Sequence, residues 1–242
     1  MKALLRWLLL LLLAGCCLQL FFVLCIGMMA WVDPQSTTFE RSEAWRLLHE
    51  KGRLRWRQAW VPYDRISDNL KRAVIASEDD GFVNHDGVDW DAVEKAWQKN
   101  TRAEQRAARQ AQLRPNAKAP KIVGGSTITQ QLAKNLLLSG ERTLLRKGQE
   151  FVLTFALEGL LSKQRILELY LNHVEWGEGV FGAEAASQHY FRKHASQLSP
   201  FEAARLAVML PRPRYFEKLP SSGYVASRAE VIVGRMRNAE LP

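Results

Sequence analysis

Residues 66–81 read Ile66-Ser67-Asp68-Asn69-Leu70-Lys71-Arg72-Ala73-Val74-Ile75-Ala76-Ser77-Glu78-Asp79-Asp80-Gly81. Ile66, Leu70, Ala73 and Val74 recur at intervals of three and four, the period of one helix face. The stripe then gives way to Ser77-Glu78-Asp79-Asp80-Gly81. Carboxylates are unfavourable at a helix C-terminus, where the free carbonyls already concentrate negative charge. An acidic pair there costs stability unless something else holds it. Glu78 follows directly on an apolar face, and burial raises a carboxylate's pKa and improves it as a general base. The other reading is an ordinary acidic helix end. On the residues alone both stay open.

The same period continues through the chain. Asp89 to Gln98 predicts a short helix. Ile128, Leu132 and Leu136 predict one starting near Ser126, and Leu144 to Leu161 and Arg165 to Leu171 predict two more. Ser199-Pro200 with Glu202 is a capping box opening a helix to Leu210, before Pro211 and Pro213. Tyr224 to Asn238 predicts a last helix. Gly177, Gly179 and Gly182 predict a tight loop. Runs of β-branched residues are scarce, so the body is mainly α, without an internal repeat.

Two segments depart from this pattern. Residues 99–121 hold seven basic side chains and one acid, Glu104. They read as a mobile basic insert, with a solvated helix inside it as the alternative, lying across the entrance to a groove. Residues 33–61 are aromatic and basic. Ser42 to Glu50 suits a short helix, and Arg53 to Arg57 suits either a strand or a membrane-proximal patch.

The N-terminus carries the strongest compositional signal. Trp7 to Val32 is a run of 26 residues without a charge, longer than the roughly 20 that cross a bilayer as a helix. Lys2 and Arg6 precede it and Asp33 follows it. Basic flanks stay on the cytoplasmic side, so 1–6 is expected inside, 7–32 across the membrane and the body outside. A cleaved signal peptide has a shorter apolar core. Lipoprotein processing at Leu13-Ala14-Gly15-Cys16 is a second rival. All three readings put the body across the membrane. Beyond the span, 32 basic and 25 acidic residues remain, a net charge of about +7. Cys16, Cys17 and Cys25 are the only cysteines of 242 residues, and all lie in the apolar run. The body therefore has no disulfide and no cysteine-based metal site.

Two further constellations bear chemistry. Gly124-Gly125-Ser126-Thr127-Ile128-Thr129-Gln130-Gln131 opens a helix that carries Lys134 two turns on, and Arg142 follows. Backbone amides at such a start suit phosphate. The order GxxxxGK[ST] is missing, so this is no nucleotide P-loop. The other reading is a well-capped helix with a surface lysine. Arg146, Glu150, Thr154 and Glu158 recur every fourth residue, with Lys147 beside Glu150. They form either a run of salt bridges or a face that handles anions or a metal.

Taken together, these segments resemble the five signatures of the family 51 glycosyltransferases, the peptidoglycan glycosyltransferases. Glu78 to Gly87 is similar to the first, Gly125 to Asn135 to the second, and Arg146-Lys147 with Glu150 to the third. Ile166 to Asn172, continued by Gly177, Gly182 and Tyr190-Phe191, is similar to the fourth, and Leu198 to Pro211 to the fifth. The order covers roughly residues 62–215. The little chain beyond it leaves no room for a penicillin-binding transpeptidase domain, so a monofunctional member is expected. The spacing from Glu78 to Lys134 is long for the family, Thr154 stands where Ala is frequent, and His173-Val174-Glu175-Trp176 is unusual after Asn172.

The resemblance implies a lysozyme-like, two-lobed domain over 62–242, preceded by the transmembrane helix. Its substrate would be lipid II, joined to a nascent glycan on undecaprenyl diphosphate with inversion at the donor sugar. Glu78 would be the general base. Lys134, Arg142 and Lys147, with Ser126 and Thr127, would meet the diphosphate. Glu150 would orient those cations or bind Mg²⁺ or Mn²⁺, and no organic cofactor is implied. Gln130, Gln131 and Asn135 would bond sugars or peptide amides, and Asp79 would orient its loop. His85, Glu158, Tyr170 and Asn172 would be structural, Glu158 in a buried ion pair. Expected partners are membrane lipids and cell-wall synthesis or division proteins. Nucleic acid does not fit a body outside the cell. A lysozyme-like hydrolase and a non-catalytic cell-wall scaffold are the competing functions.

Overall fold

The computed structural model describes residues 2–113, 124–138, 140–141 and 143–242. Eleven α-helices and a small sheet make up the described residues. They are α1 (Lys2–Met28), α2 (Thr38–Lys51), β1 (Arg57–Gln58), α3 (Asp68–Glu78) and α4 (Trp90–Leu113). Then come α5 (Ile128–Leu137), α6 (Leu144–Leu160), α7 (Lys163–His173), β2 (Glu175–Gly177) and β3 (Val180–Phe181). The chain ends with α8 (Ala183–Phe191), α9 (Pro200–Met209), α10 (Pro213–Phe216) and α11 (Gly223–Arg235).

Side-chain caps set most helix starts. Thr37 with Glu40, Thr127 with Gln130 and Ser199 with Glu202 form complete capping boxes for α2, α5 and α9. Each satisfies two amides that the first turn leaves without an intrahelical partner. Ser67 caps α3 through the Asn69 amide.

The helices form two groups around one continuous core. In the first, α3 packs on α9, and α11 packs on both. Leu70, Ala73 and Val74 of α3 meet the small face Ala203, Ala204 and Ala207 of α9, all fully buried. In the second group α5 packs against α2, α6 and α7. The three strands run in the order β1-β3-β2, β1 parallel and β2 antiparallel to β3. Gly179 turns β2 into β3 at φ +73°, and a Cβ there would stand 2.0 Å from the Arg55 carbonyl oxygen, so only glycine fits.

α1 is long and apolar enough to cross a membrane. Its upper end is held by the body. Gln19 and Gln149 of α6 exchange amide hydrogen bonds at 2.7 and 3.0 Å. Ile26 is fully buried. Arg165 of α7 donates to the Met29 carbonyl and to Asp33, both at 2.7 Å, and stacks over Trp60. Beside this contact α6 leaves Leu144, Leu145, Val152 and Phe155 exposed.

The helix expected over 89–98 runs further: residues 90–113 are one helix, α4, so over 99–113 the helical alternative holds and the loose insert does not. No glycine or proline interrupts 90–113, and Ala, Arg and Gln are strong helix formers. Residues 114–121 of the expected insert lie outside the described residues. The Arg53–Arg57 strand shrinks to β1, and Gly177–Gly182 is a hairpin rather than a plain loop.

Candidate active site

α3 ends where Asp79 leaves the helix at φ −164° and ψ 73°. Tertiary contacts compensate for its acidic end. Asp79 is buried; Oδ2 accepts from the Ile128 amide at 2.9 Å, and Oδ1 lies 2.9 Å from His85 Nε2. The Gly87 amide donates to His85 Nδ1 at 3.1 Å, so Nε2 carries the proton and donates to Asp79. The first signature is thereby tied to the N-terminus of α5, which favours a carboxylate. His85 is part of this frame, as is Thr127, whose hydroxyl donates to the Gly87 carbonyl at 2.6 Å.

Glu78 sits one residue earlier and faces the other way. Its Oε2 accepts from Gln131 Nε2 at 3.1 Å, and the Ser77 hydroxyl lies 3.4 Å from Oε1. Gln131 Oε1 in turn accepts from the Tyr170 hydroxyl at 3.0 Å. The three residues come from α3, α5 and α7, the last fully buried at its tyrosine. Burial raises the Glu78 pKa above the ordinary carboxylate value; Gln131 and Ser77 pull it down, and the charge of Asp79 pushes it up. The same burial, with Glu78 and Asp79 nearby, holds the Tyr170 hydroxyl protonated far above its usual range.

Each member of this hydrogen-bonded pair lines a cavity of its own. Glu78, with Ser77, Asp80, Gly125 and Ser126, lines one of about 360 Å³. Gln131, with Lys134, Asn135, Glu141, Arg146 and Glu175, lines another of about 380 Å³. A base therefore stands between one hollow beside α4 and a second one furnished with cations. A third cavity, at the end of α2, is lined by Arg53, Arg55 and Arg57. Of its two carboxylates, Glu178 is engaged by Lys51 and Arg46 and Glu217 accepts from the Glu178 amide.

Glu150 lies on α6, almost fully buried. Arg146 bonds its Oε2 at 3.1 Å and Lys147 bonds its Oε1. Both oxygens thus hold a cation. Among the described residues no group of three or more Asp, Glu, His or Cys side chains could hold a metal. A hard divalent ion needs several free oxygens, and a carboxylate already flanked by two cations does not fit that role. The arrangement does fit the other expectation, an acid that orients cations.

The remaining expected residues separate into two sets. Lys134, Asn135 and Gln131 are brought together at the second cavity, and Ser126 lies at the first. Thr127 also lines the first cavity, while its hydroxyl accepts from the Gln130 amide and Gln130 Oε1 accepts from the Thr127 amide in the α5 cap. Gln130, expected on sugars or peptide amides, lines neither cavity. Glu158 accepts from Thr129 at 2.6 Å and pairs with Lys163 at 2.8 Å. Asn172 bonds both backbone groups of Val61 and the Glu168 carbonyl, each at 2.9 Å. Arg142 lies outside the described residues. Arg146, which the sequence leaves open between a salt bridge and an anion-handling face, pairs with Glu150 and lines the second cavity beside Lys134. Its place four residues before Glu150 was the available signal.

This geometry has relatives. Residues 46–237 match the family model described as Transglycosylase. The chain belongs to the transglycosylase family. It is 53% identical over 224 residues to the biosynthetic peptidoglycan transglycosylase of Burkholderia thailandensis, covering 93% of this chain and 82% of that one. The protein of the same description from Herminiimonas arsenicoxydans is 50% identical over 243 residues, 100% of this chain and 99% of its own. The one from Paraburkholderia xenovorans is 50% identical over 224 residues, covering 93% and 87%. The mainly helical, lysozyme-like fold expected of a transglycosylase, with one apolar N-terminal helix, is the fold described above.

Proposed function

We propose that this transglycosylase polymerises lipid II into β-1,4 glycan strands at the outer face of a bacterial cytoplasmic membrane. One observation carries the reading: a half-buried Glu78 lines one cavity and is hydrogen-bonded to Gln131, which lines a second cavity presenting Lys134 and Arg146. The near full-length likeness to biosynthetic peptidoglycan transglycosylases supports it.

The chemistry follows from that placement. Glu78 takes the proton of the acceptor N-acetylglucosamine 4-hydroxyl. The freed oxygen attacks C1 of the donor N-acetylmuramic acid, and the C1–O bond to undecaprenyl diphosphate breaks on the opposite face. The anomeric centre inverts, and a single base suffices. Gln131 holds the ionised carboxylate in line. Lys134 and Arg146 meet the charge on the departing diphosphate, where guanidinium suits paired phosphate oxygens and ammonium acts as a point charge. Lys147 and Glu150 fix the orientation of Arg146. A hydrolase that cuts finished glycan with water releases no diphosphate and has no use for this cation set.

α1 is the anchor, with Lys2 and Arg6 on the cytoplasmic side. The exposed apolar face of α6, beside α1, rests on the bilayer, where the isoprenoid tail of the substrate stays. The test is the purified full chain in detergent with labelled lipid II. Glycan polymer and undecaprenyl diphosphate should appear together, and Glu78→Gln should lower turnover more than about a hundredfold. Sugar release without diphosphate, or near-normal polymerisation by Glu78→Gln, would refute the proposal.

A further inference from the structure

The positive charge on α4 has no part in the reaction above. Lys95, Lys99, Arg102, Arg106 and Arg109 follow one another at intervals of four, three, four and three, so they share one face of the helix. From Lys95 to Arg106 that face runs about 16 Å. All five side chains are exposed. Of the three acids on α4, Glu94 and Glu104 lie on other faces, and Asp91 stands one turn before Lys95 at the start of the row. Lys95 and Lys99 line the cavity that contains Glu78. The same two lysines, with Gln98, Arg102, Ala103 and Arg106, line a further hollow of about 470 Å³. The groove at the base therefore continues as a cationic track along α4.

The other faces of α4 fix where the track runs. On one, Ala92 and Ala96 pack against the second signature; a Cβ on Gly125 would meet Ala96 Cβ at 3.4 Å. On another, the Trp90 ring lies parallel to Phe151 of α6, with centroids 6.4 Å apart. α6 is the helix that grips α1 through Gln149. Trp97, one heptad after Trp90, is exposed with it, and amphipathic rings of this kind favour the headgroup layer. Trp90 and Trp97 thus lie on nearly the opposite side of α4 from the cations, and the track leaves the base along the cavity side of the helix.

Resting on the polymerisation reading, we infer that Lys95, Lys99, Arg102 and Arg106 bind the diphosphate of the acceptor lipid II, whereas Lys134 and Arg146 face that of the donor. The acceptor's 4-hydroxyl and its diphosphate lie at opposite ends of one disaccharide. Seating the hydroxyl at Glu78 sends the diphosphate outward along the groove that Lys95 and Lys99 line. A row of mobile cations, rather than one closed pocket, suits a headgroup that arrives by diffusion in the membrane plane. Anionic lipid headgroups offer the same chemistry, a phosphate ester at the bilayer surface, and the experiment separates the two sources.

Full-length parent is compared with the triple variant Lys99→Glu, Arg102→Glu, Arg106→Glu in neutral detergent free of anionic lipid, and on vesicles with and without it. In neutral detergent the variant should raise the KM for lipid II at least about tenfold, with kcat falling by less. Added salt should shrink the difference. The Gln triple variant should lie between the two, and it decides the matter if the Glu variant loses its far-ultraviolet helical signal. Equal KM for parent and variants in neutral detergent overturns the inference. A difference confined to anionic vesicles also overturns it and assigns the track to lipid headgroups. A parent that fails to polymerise lipid II refutes the underlying reaction instead, whereas an active parent with indifferent variants refutes only the acceptor track.

Discussion

Replacing Gln131 with Leu should move the reaction's acid limb to higher pH. Gln131 is the side chain that donates to Glu78 Oε2, at 3.1 Å. A hydrogen bond to a charged partner contributes roughly 1.5–3 kcal/mol. The bond favours the ionised form of a carboxylate whose burial favours the neutral one. Without it less of the base is ionised near pH 7. At about 1.4 kcal/mol per factor of ten, turnover falls roughly ten- to hundredfold. Raising the pH should restore most of it, because the base is intact. The substitution also strands the buried Tyr170 hydroxyl, which now bonds Gln131 at 3.0 Å, at a cost of about 1–3 kcal/mol in stability. The double variant Gln131→Leu, Tyr170→Phe removes that orphan, so stability should recover while the shifted acid limb remains. Initial rates of lipid II polymerisation from pH 5 to 9, with denaturant melts on the same proteins, make the measurement. Coincident acid limbs for parent and Gln131→Leu would show that the amide does not hold the base.

Three other outcomes are expected. Glu78→Gln should be at least as stable as the parent at neutral pH. A folded-state pKa raised by burial means that the parent loses stability as pH rises through that value. The two should converge below the unfolded carboxylate value of about 4.3, and thermal melts across pH would show a parent advantage at neutral pH if the reasoning fails. Glu150→Gln should cost about 1–3 kcal/mol, less than a fully buried pair because Lys147 is 41% exposed, and should reduce turnover by freeing Arg146. Unchanged kinetics there would detach the third signature from the site. Asn172→Ala removes three hydrogen bonds that join residue 61 to α7 and should cost about 2–4 kcal/mol. An inactive protein of normal stability would give Asn172 a direct role.

The legible parts of the molecule were those whose signals are local. The stripe of Ile66, Leu70, Ala73 and Val74, the Ser199–Glu202 cap and the charge-free run from Trp7 all act within a few turns of chain. Glu78 was legible because an acid at the end of an apolar helix is locally unfavourable. The length of α4 was not legible because the face it packs on the second signature is made of Ala92 and Ala96, which bury little area and barely register as an apolar stripe. β1, β2 and β3 have two or three residues each, too few for an alternating pattern. Thr127 and Gln130 carried a capping-box spacing that the phosphate reading overshadowed. The contact between His173 and Glu40, 2.8 Å apart and both 1% exposed, joins residues 133 positions apart, and no local rule foretells it.

The grip on α1 has a mechanical consequence. At 1.5 Å per residue a helix of 27 residues is about 40 Å long, some 10 Å more than the hydrocarbon thickness of a bilayer. The surplus is sheathed: Ile26 is buried, and Gln19, Met29 and Asp33 are clasped by α6 and α7. The span is therefore a keel rather than a tether. In the membrane-anchored enzyme proposed above, such a keel sets the height of the groove above the lipid and fixes the bearing of the body. With the catalyst held at one elevation, each addition there would advance the product, the strand fed outward past a stationary base like thread drawn through a fixed eyelet.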